Sequence, residues 1–484
     1  MKEKDMMEKR KTVLEVKDLS VSFKMYRRGL KQVELNVIKK MNIALHEGEM
    51  LAIVGASGSG KSILAHATLG LLPKNAVTSG EIFLKGEVLD KKLRKEKVGK
   101  DLIMIPQSLT YLDPLMKVGK QVRGLHGSRE KQEEVFERYG LKPEVASFYP
   151  FELSGGMARR ILISTAVTSG AGVILADEPT PGLSEELACE TMDNFKALTK
   201  EGRAILMITH DIDLAAKYAD TIAVFYEGEV VDVLSSEDFA KGGEYIKHPY
   251  TKALWEALPQ NGFAGSYEKK TNAGEKTETV NDTLIECKDI AFGYVKGKKI
   301  LSGLNFKIGK GEVVGLVGPS GLGKSTLAKI ISGYEKPDEG EVTWKGGKFP
   351  LKGYCPIQMI YQHPEKALDP GMKISESLAE GYMPDDDLLE RLYIKKELWF
   401  DRWPNELSGG ELQRFCVARV LGPKTELIIA DEMSTMLDAI TQAQIWKVLM
   451  EEVKKRNLGL LVITHNMHLA ERLCDRIVDL SELC

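Results

Sequence analysis

The sequence predicts two α/β domains in tandem, each built on a mainly parallel sheet. Three observations lead there. The 484-residue chain repeats itself: GASGSGKS (Gly55 to Ser62) returns as GPSGLGKS (Gly318 to Ser325), and LSGG at Leu153 to Gly156 returns at Leu407 to Gly410. VILADE (Val173 to Glu178) returns as LIIADE (Leu427 to Glu432), and ITH ending at His210 returns ending at His465. Short, wholly apolar runs alternate with helical patterns, as in a sheet covered on both faces. Each Gly-rich run follows an apolar run and opens a helical one.

The spacing identifies a duplication. Gln107 and Gln362 are 255 residues apart, Ser154 and Ser408 are 254, Asp177 and Asp431 are 254, and His210 and His465 are 255. Lys61 and Lys324 are 263 apart, so the first copy carries eight more residues between Lys61 and Gln107. The charged stretch Lys85 to Lys100 is expected to hold them as a surface loop. The domains are expected over 12–259 and 283–484. Between them, residues 260–282 are polar and rich in Gly, Lys, Glu and Thr, the composition of a flexible linker.

Within the copies, Leu51 to Val54 and Val313 to Val317 are expected as strands entering the Gly-rich loops. Val173 to Ala176, Ala204 to Ile208, Leu427 to Ala430 and Leu458 to Ile463 read as buried parallel strands. Glu185 to Leu198 and Ile440 to Lys455 read as covering helices.

Composition narrows the function classes. A net charge of −3 argues against a protein that coats nucleic acid. No apolar run approaches the roughly 20 residues of a membrane-spanning helix. The beginning, MKEKDMMEKRK, lacks the apolar stretch of a signal peptide, so a cytoplasmic chain is expected. The six cysteines form no CxxC pair and read as reduced thiols.

The Gly-rich loops have the form GxxxxGK[ST]. Their glycines (Gly55, Gly58, Gly60 and Gly318, Gly321, Gly323) let backbone N–H groups turn toward phosphate oxygens, at a helix N-terminus of positive potential. Ser57, Ser320 and Thr326 lie in the same runs. Lys61 and Lys324 suit the β- and γ-phosphates of a nucleotide, and Ser62 and Ser325 offer hydroxyls to Mg²⁺. Asp177 and Asp431, ending apolar strands, suit a Mg²⁺ held through water. Glu178 and Glu432 follow at the place for a base or water-positioner. His210 and His465, each expected to close a strand, could donate to the γ-phosphate. Taken singly, an Asp-Glu at a strand end or a histidine there is most often structural; the repetition of both favours function.

LSGGMARR (Leu153 to Arg160) and LSGGELQR (Leu407 to Arg414) resemble the signature of ATP-binding-cassette ATPases, and the resemblance covers both copies. It implies a P-loop fold with a mainly parallel core sheet, an antiparallel β subdomain and a helical subdomain in each domain. It also implies that the two cassettes pair within the chain, head to tail, around two ATPs with Mg²⁺. One site would join Lys61, Ser62, Asp177, Glu178 and His210 to Ser408, Gly409 and Gly410. The other would join Lys324, Ser325, Asp431, Glu432 and His465 to Ser154, Gly155 and Gly156. Gln107 and Gln362 match the family's Mg²⁺-reaching glutamine, and Phe23 and Tyr294 its adenine-stacking aromatic, although single aromatics also suit a core. Where the family usually reads PTSALD, the second copy has MSTMLD with Asp438 and the first has PTPGLS with Ser184. Unequal sites, both able to hydrolyse ATP, are expected.

HPYTKALWEALP (His248 to Pro259) and DAITQAQIW (Asp438 to Trp446) are similar to segments of dipeptide/oligopeptide/nickel importer ATPases. That branch implies two integral-membrane permease subunits as partners, an extracytoplasmic solute-binding protein acting indirectly, and a peripheral position on the inner face of the membrane. Peptides, nickel or a metallophore would be the solute. With no cysteine between Cys189 and Cys287, no iron–sulfur cluster is expected. The contrasting reading is a soluble tandem-cassette ATPase acting on ribosomes or nucleic acid; the short linker and non-basic C-terminus weigh against it. A vitamin- or metal-transporter ATPase would lack the HPYT segment.

Overall fold

A computed structural model describes residues 10–27, 31–56, 58–124, 127–180, 183, 185–263, 283–295, 297–319, 321–349, 353–435 and 437–483. Ser57, Ser184, Ser320 and residues 264–282 of the expected linker lie outside the described residues. The chain divides into two compact units, Met1–Trp255 and Glu256–Cys484.

In the first unit, β1 (Thr12–Arg27), β2 (Lys31–His46), β4 (Ala76–Leu84) and β5 (Glu87–Val88) form an antiparallel sheet of order β2-β1-β4-β5. The second sheet contains β3 (Met50–Val54), β6 (Leu102–Ile105), β7 (Val173–Asp177), β8 (Ala204–Ile208), β9 (Thr221–Tyr226) and β10 (Glu229–Ser235), ordered β10-β9-β3-β8-β7-β6. All its pairings are parallel except the β9–β10 hairpin. Every residue of β3, β7 and β8 is buried, which is why these strands read as unbroken apolar runs.

The second unit repeats the plan. An antiparallel sheet of β11 (Thr283–Phe292), β12 (Leu301–Gly309) and β14 (Glu339–Trp344) accompanies a parallel one. The parallel strands are β13 (Val313–Val317), β15 (Ile357–Ile360), β16 (Leu427–Asp431), β17 (Gly459–Ile463) and β18 (Arg476–Asp479), ordered β15-β16-β17-β13-β18.

The helices that matter for the site begin with α1 (Lys61–Leu69), α2 (Gly155–Ser169), α3 (Glu185–Lys200) and α4 (Pro249–Glu256). Their second-unit companions are α5 (Lys324–Ile331), α6 (Gly409–Val420) and α7 (Ala439–Arg456). The expected strands and covering helices are found within one or two residues at their ends.

Two expectations need correction. Strands β8 and β17 end at Ile208 and Ile463, so His210 and His465 lie two residues beyond the strands rather than closing them. The charged stretch Lys85 to Lys100 is not a loop: Lys91–Lys97 is a helix, N-capped by Asp90, whose carboxylate accepts from Leu93 N. Nor does that stretch hold all eight extra residues. Gly80 lies 19 residues after Lys61 and its counterpart Gly340 lies 16 after Lys324, so three of the eight precede Gly80. The counterparts are fixed by structure. A Cβ on either glycine would fall within 2.4 Å of the carbonyl oxygen of an αL aspartate, Asp18 or Asp289, at a bulge in β1 or β11.

The HPYT segment is a fastening. His248 N donates to Asp232 Oδ2 at 3.0 Å, and His248 Nδ1 accepts from Tyr250 N at 3.2 Å. The Tyr250 ring stacks on Tyr226 with centroids 4.1 Å apart, and Thr251 is fully buried. The start of α4 is thereby held against the β9–β10 hairpin.

Candidate nucleotide site

Both Gly-rich loops sit between the first parallel strand of their unit and the following helix. In the first, Gly60 is the N-cap of α1 at φ +103°, and a Cβ there would come within 2.2 Å of Val37 Cγ1. Only glycine combines that backbone with that approach. Lys61, 5% exposed, curls over the loop and donates from Nζ to Gly55 O at 2.9 Å and Ala56 O at 2.6 Å. Lys324 does the same to Gly318 O at 2.7 Å and Pro319 O at 3.0 Å.

The next residue binds across the sheet. Ser62 Oγ donates to Asp177 Oδ1 at 2.8 Å, and Ser325 Oγ to Asp431 Oδ1 at 3.1 Å. Burial pushes both carboxyls above the usual aspartate range; the serine hydroxyls partly offset this, and the neighbouring glutamates add to it. A buried hydroxyl–carboxylate pair at the end of a Gly-rich loop fits a hard divalent cation, which would relieve that penalty.

Glu178 and Glu432 adopt left-handed backbone, φ +48° and +47°. Their N–H groups donate to Ile208 O at 2.9 Å and Ile463 O at 3.0 Å. Holding a non-glycine residue there costs about 1 kcal/mol or more, a strain that the strand ends impose at both copies.

The two copies diverge around these glutamates. Glu178 meets His210 Nδ1 at 2.9 Å. Burial opposes the imidazolium of His210, but the hydrogen bond to Glu178 and that residue's charge outweigh it, and its pKa is raised. Glu432 lies farther from its histidine, 3.8 Å from His465 Nδ1, and also accepts from Gln362 Nε2 at 3.1 Å. The facing His465 holds Glu432 below the usual glutamate range, against the effect of burial. Gln107 shares a cleft with Lys61, Ser62, Glu178 and Phe23. Tyr294 follows β11, is 54% exposed and meets Phe292 edge-on at 5.0 Å.

The signature runs begin α2 and α6. Ser154 and Ser408 are N-caps whose Oγ atoms accept from Met157 N at 3.3 Å and Glu411 N at 3.4 Å. Ser408 N also donates to Glu411 Oε2 at 2.8 Å, completing a capping box that Met157 cannot form. Gly155, Gly156 and Gly409 have open space where a Cβ would project. Asp438 caps α7, accepting from Thr441 N at 3.0 Å.

Sequence reasoning missed Arg159. Its buried guanidinium donates to Pro106 O at 3.0 Å and Gln107 O at 2.8 Å, tying α2 to the Gln107 loop. Gln413, at the matching place, makes one longer bond, 3.3 Å to Tyr361 O. The mismatch of Arg159 and Gln413 between the repeats was the available signal.

A duplicated strand–Gly-rich loop–helix, with a serine–aspartate pair, a strained glutamate and a serine-capped signature helix in each unit, defines a tandem ATP-binding cassette. The ABC transporter family profile matches residues 38–181 and 301–435. The chain belongs to that family and is an ATPase. It is 31% identical to the glutathione import ATP-binding protein GsiA of Salmonella paratyphi A, across 96% of this chain and 84% of that protein. The same protein of Escherichia coli O6:H1 is 29% identical over the same shares. Among solved structures, an RNase-L Inhibitor superposes with a TM-score of 0.69 at 24% identity, over 96% of this chain and 87% of that one. An archaeal ribosome recycling factor, aABCE1, gives 0.66 at 23%, over 95% and 87%. At these identities the two structures speak for the fold alone. Among the described residues, no helix is long and apolar enough to cross a membrane.

Proposed function

We propose that the chain is the ATP-hydrolysing subunit of an importer in the dipeptide/oligopeptide branch, working from the cytoplasmic face of the membrane on two permease subunits. A solute-binding protein would act through those permeases, and nucleic acid plays no part. The observation that carries this reading is the doubled constellation of Lys61, Ser62, Asp177 and Glu178 and its second-unit copy, in a chain alignable over 96% of its length with ATPases named for glutathione import. Glutathione is peptide-like, which favours a small peptide over nickel or a metallophore as the solute.

In the proposed cycle, loop amides and Lys61 or Lys324 bind the β- and γ-phosphates. Ser62 with Asp177 and Gln107, or Ser325 with Asp431 and Gln362, would hold Mg²⁺, which when bound neutralises phosphate charge. Glu178 and Glu432 orient the attacking water and accept its proton; His210 and His465 hold those glutamates and contact the γ-phosphate. The Lys61 site is completed by Ser408, Gly409 and Gly410, and the Lys324 site by Ser154, Gly155 and Gly156. The serine-capped N-termini of α6 and α2, exposed at Gly409 and Gly155, support that assignment, since a helix N-terminus attracts an anion. ATP then acts as the glue between cassettes and hydrolysis releases them. Ser184, standing where Asp438 stands in the second copy, would make the Lys324 site the altered one.

Affinity purification of the tagged chain from its own membranes tests the reading. Two hydrophobic permease subunits should co-purify and stimulate ATP turnover; recovery of ribosomes or RNA in their place would overturn it.

A further inference from the structure

The two nucleotide sites differ most where no phosphate chemistry occurs. In the first unit, β1 and β2 continue as a paired hairpin to Arg27↔Lys31, far beyond the Gly-rich loop. This extension was not legible as such in the sequence. It carries an apolar wall of Phe23, Met25, Leu35 and Val37, with Leu35 opposite Phe23 in register. The cleft bounded by that wall and by Lys61 has a volume of about 560 Å³, within the range of small-molecule pockets. Met25 and Leu35 are 50% and 51% exposed, so apolar surface faces the cleft and remains to be covered.

Among the described residues, the second unit lacks the wall. Strand β11 stops at Phe292, β12 begins at Leu301, and a single isolated bridge, Val295↔Lys298, is found among the described residues between them. Ile300 takes Val37's part, its Cγ2 lying 2.8 Å from where a Cβ on Gly323 would be. Two residues before it, where the first unit has Leu35, stands Lys298. Lys299 pairs with Glu339 at 2.9 Å, and Lys329 Nζ lies 5.8 Å from the Tyr294 ring centroid. Tyr294 has the Lys329 ammonium as well as Phe292 against its ring, with the exposed Val295 beside it in sequence, where the cleft at Phe23 is walled by Met25, Leu35 and Val37.

We infer that the first unit seats the nucleobase against the apolar wall of Phe23, Met25 and Leu35, whereas the second holds nucleotide chiefly by its phosphates, so that the two sites differ in base selectivity. This rests on the reading of both Gly-rich loops as ATP sites. The physical cause is area: an aromatic base covering Met25 and Leu35 in addition to Phe23 buries more apolar surface than one resting on Tyr294 beside the Lys329 charge. The first site therefore discriminates strongly between a nucleotide and a bare polyphosphate, and the second discriminates weakly.

Photolabelling of the full chain with 8-azido-ATP and Mg²⁺ tests this, with the label mapped by mass spectrometry to peptides before residue 256 or after residue 282. Half-saturation of the first unit should lie roughly ten-fold below that of the second. Tripolyphosphate should displace label from the second unit at about ten-fold lower concentration than from the first. Replacing Met25 and Leu35 together by serine should raise the first unit's half-saturation about ten-fold and leave the second unchanged. Met25→Leu with Leu35→Val should label as the native chain does. Equal half-saturation and equal displacement in the native chain would overturn the inference, as would native labelling of a folded double-serine variant. If that variant does not fold, the tripolyphosphate comparison on the native chain decides. ATP turnover of the native chain, measured alongside, tests the functional reading separately: turnover with equal labelling removes only this inference.

Discussion

His210 Nδ1 lies 2.9 Å from the Glu178 carboxylate, while the corresponding His465 lies 3.8 Å from Glu432. The same pair of residue types is in short contact in one unit and in longer contact in the other, where Gln362 Nε2 also donates to the Glu432 carboxylate at 3.1 Å. Glu178→Gln and Glu432→Gln, made singly, should each reduce ATP turnover, the former by about 10²–10³-fold and the latter by less. Steady-state phosphate release measures this; equal losses would remove the asymmetry.

The same pair carries a pH signature. His210 has a raised pKa in the folded chain, so its contribution to stability is complete below its ordinary value near 6.5 and fades as pH rises through the raised one. The Tm difference between the native chain and Glu178→Gln should be largest near pH 6 and shrink toward pH 9. A difference independent of pH would contradict the pairing.

Asp177 is costly without a cation. Burial raises its pKa, so its favourable contribution is confined to low pH, and at neutral pH the ionised carboxylate carries the burial penalty. Asp177→Asn should leave the nucleotide-free chain at least as stable as the native one at pH 7. It should also abolish the Mg²⁺-dependent part of the Tm rise produced by ATP. A nucleotide-free variant markedly less stable than native would show that Asp177 is a structural acceptor instead.

Gly55 tests the loop itself. A Cβ there would fall 2.2 Å from Phe225 O, a clash with backbone on both sides. Gly55→Ala should destabilise the first unit by about 2–4 kcal/mol in urea titrations. Gly58 is also at positive φ but has open space around it, so Gly58→Ala should cost only about 1 kcal/mol. Similar costs at the two positions would mean that the loop yields to either.

The parallel sheets were legible because Val173–Asp177, Ala204–Ile208 and their copies are buried on both faces, and such strands leave a continuous apolar run. The Gly-rich loops and the Ser, Asp, Glu and His of each site were legible because duplication repeated them in the same order; which of them pair was not. The long β1–β2 hairpin was not either: one of its faces meets water, and its exposed polar residues, such as Lys24, Glu34 and Asn36, interrupt the apolar signal. Register shifts around Leu19 break the alternation further. The helix Lys91–Lys97 was hidden for a similar reason, since none of its residues is buried and it has no apolar face to show. Arg159 binds carbonyls more than 50 positions away in the chain, a contact that no local pattern announces.

The run His248 to Thr251, which gave the strongest hint of ancestry, turns out to be a joint. Its Tyr250 ring stacks on Tyr226 and its first amide is held by Asp232, both in the β9–β10 hairpin of its own unit. A joint of that kind is indifferent to cargo. On the proposed reading, lineage and solute are thus written in different places, since the segment that points to the branch serves the fold of its own unit.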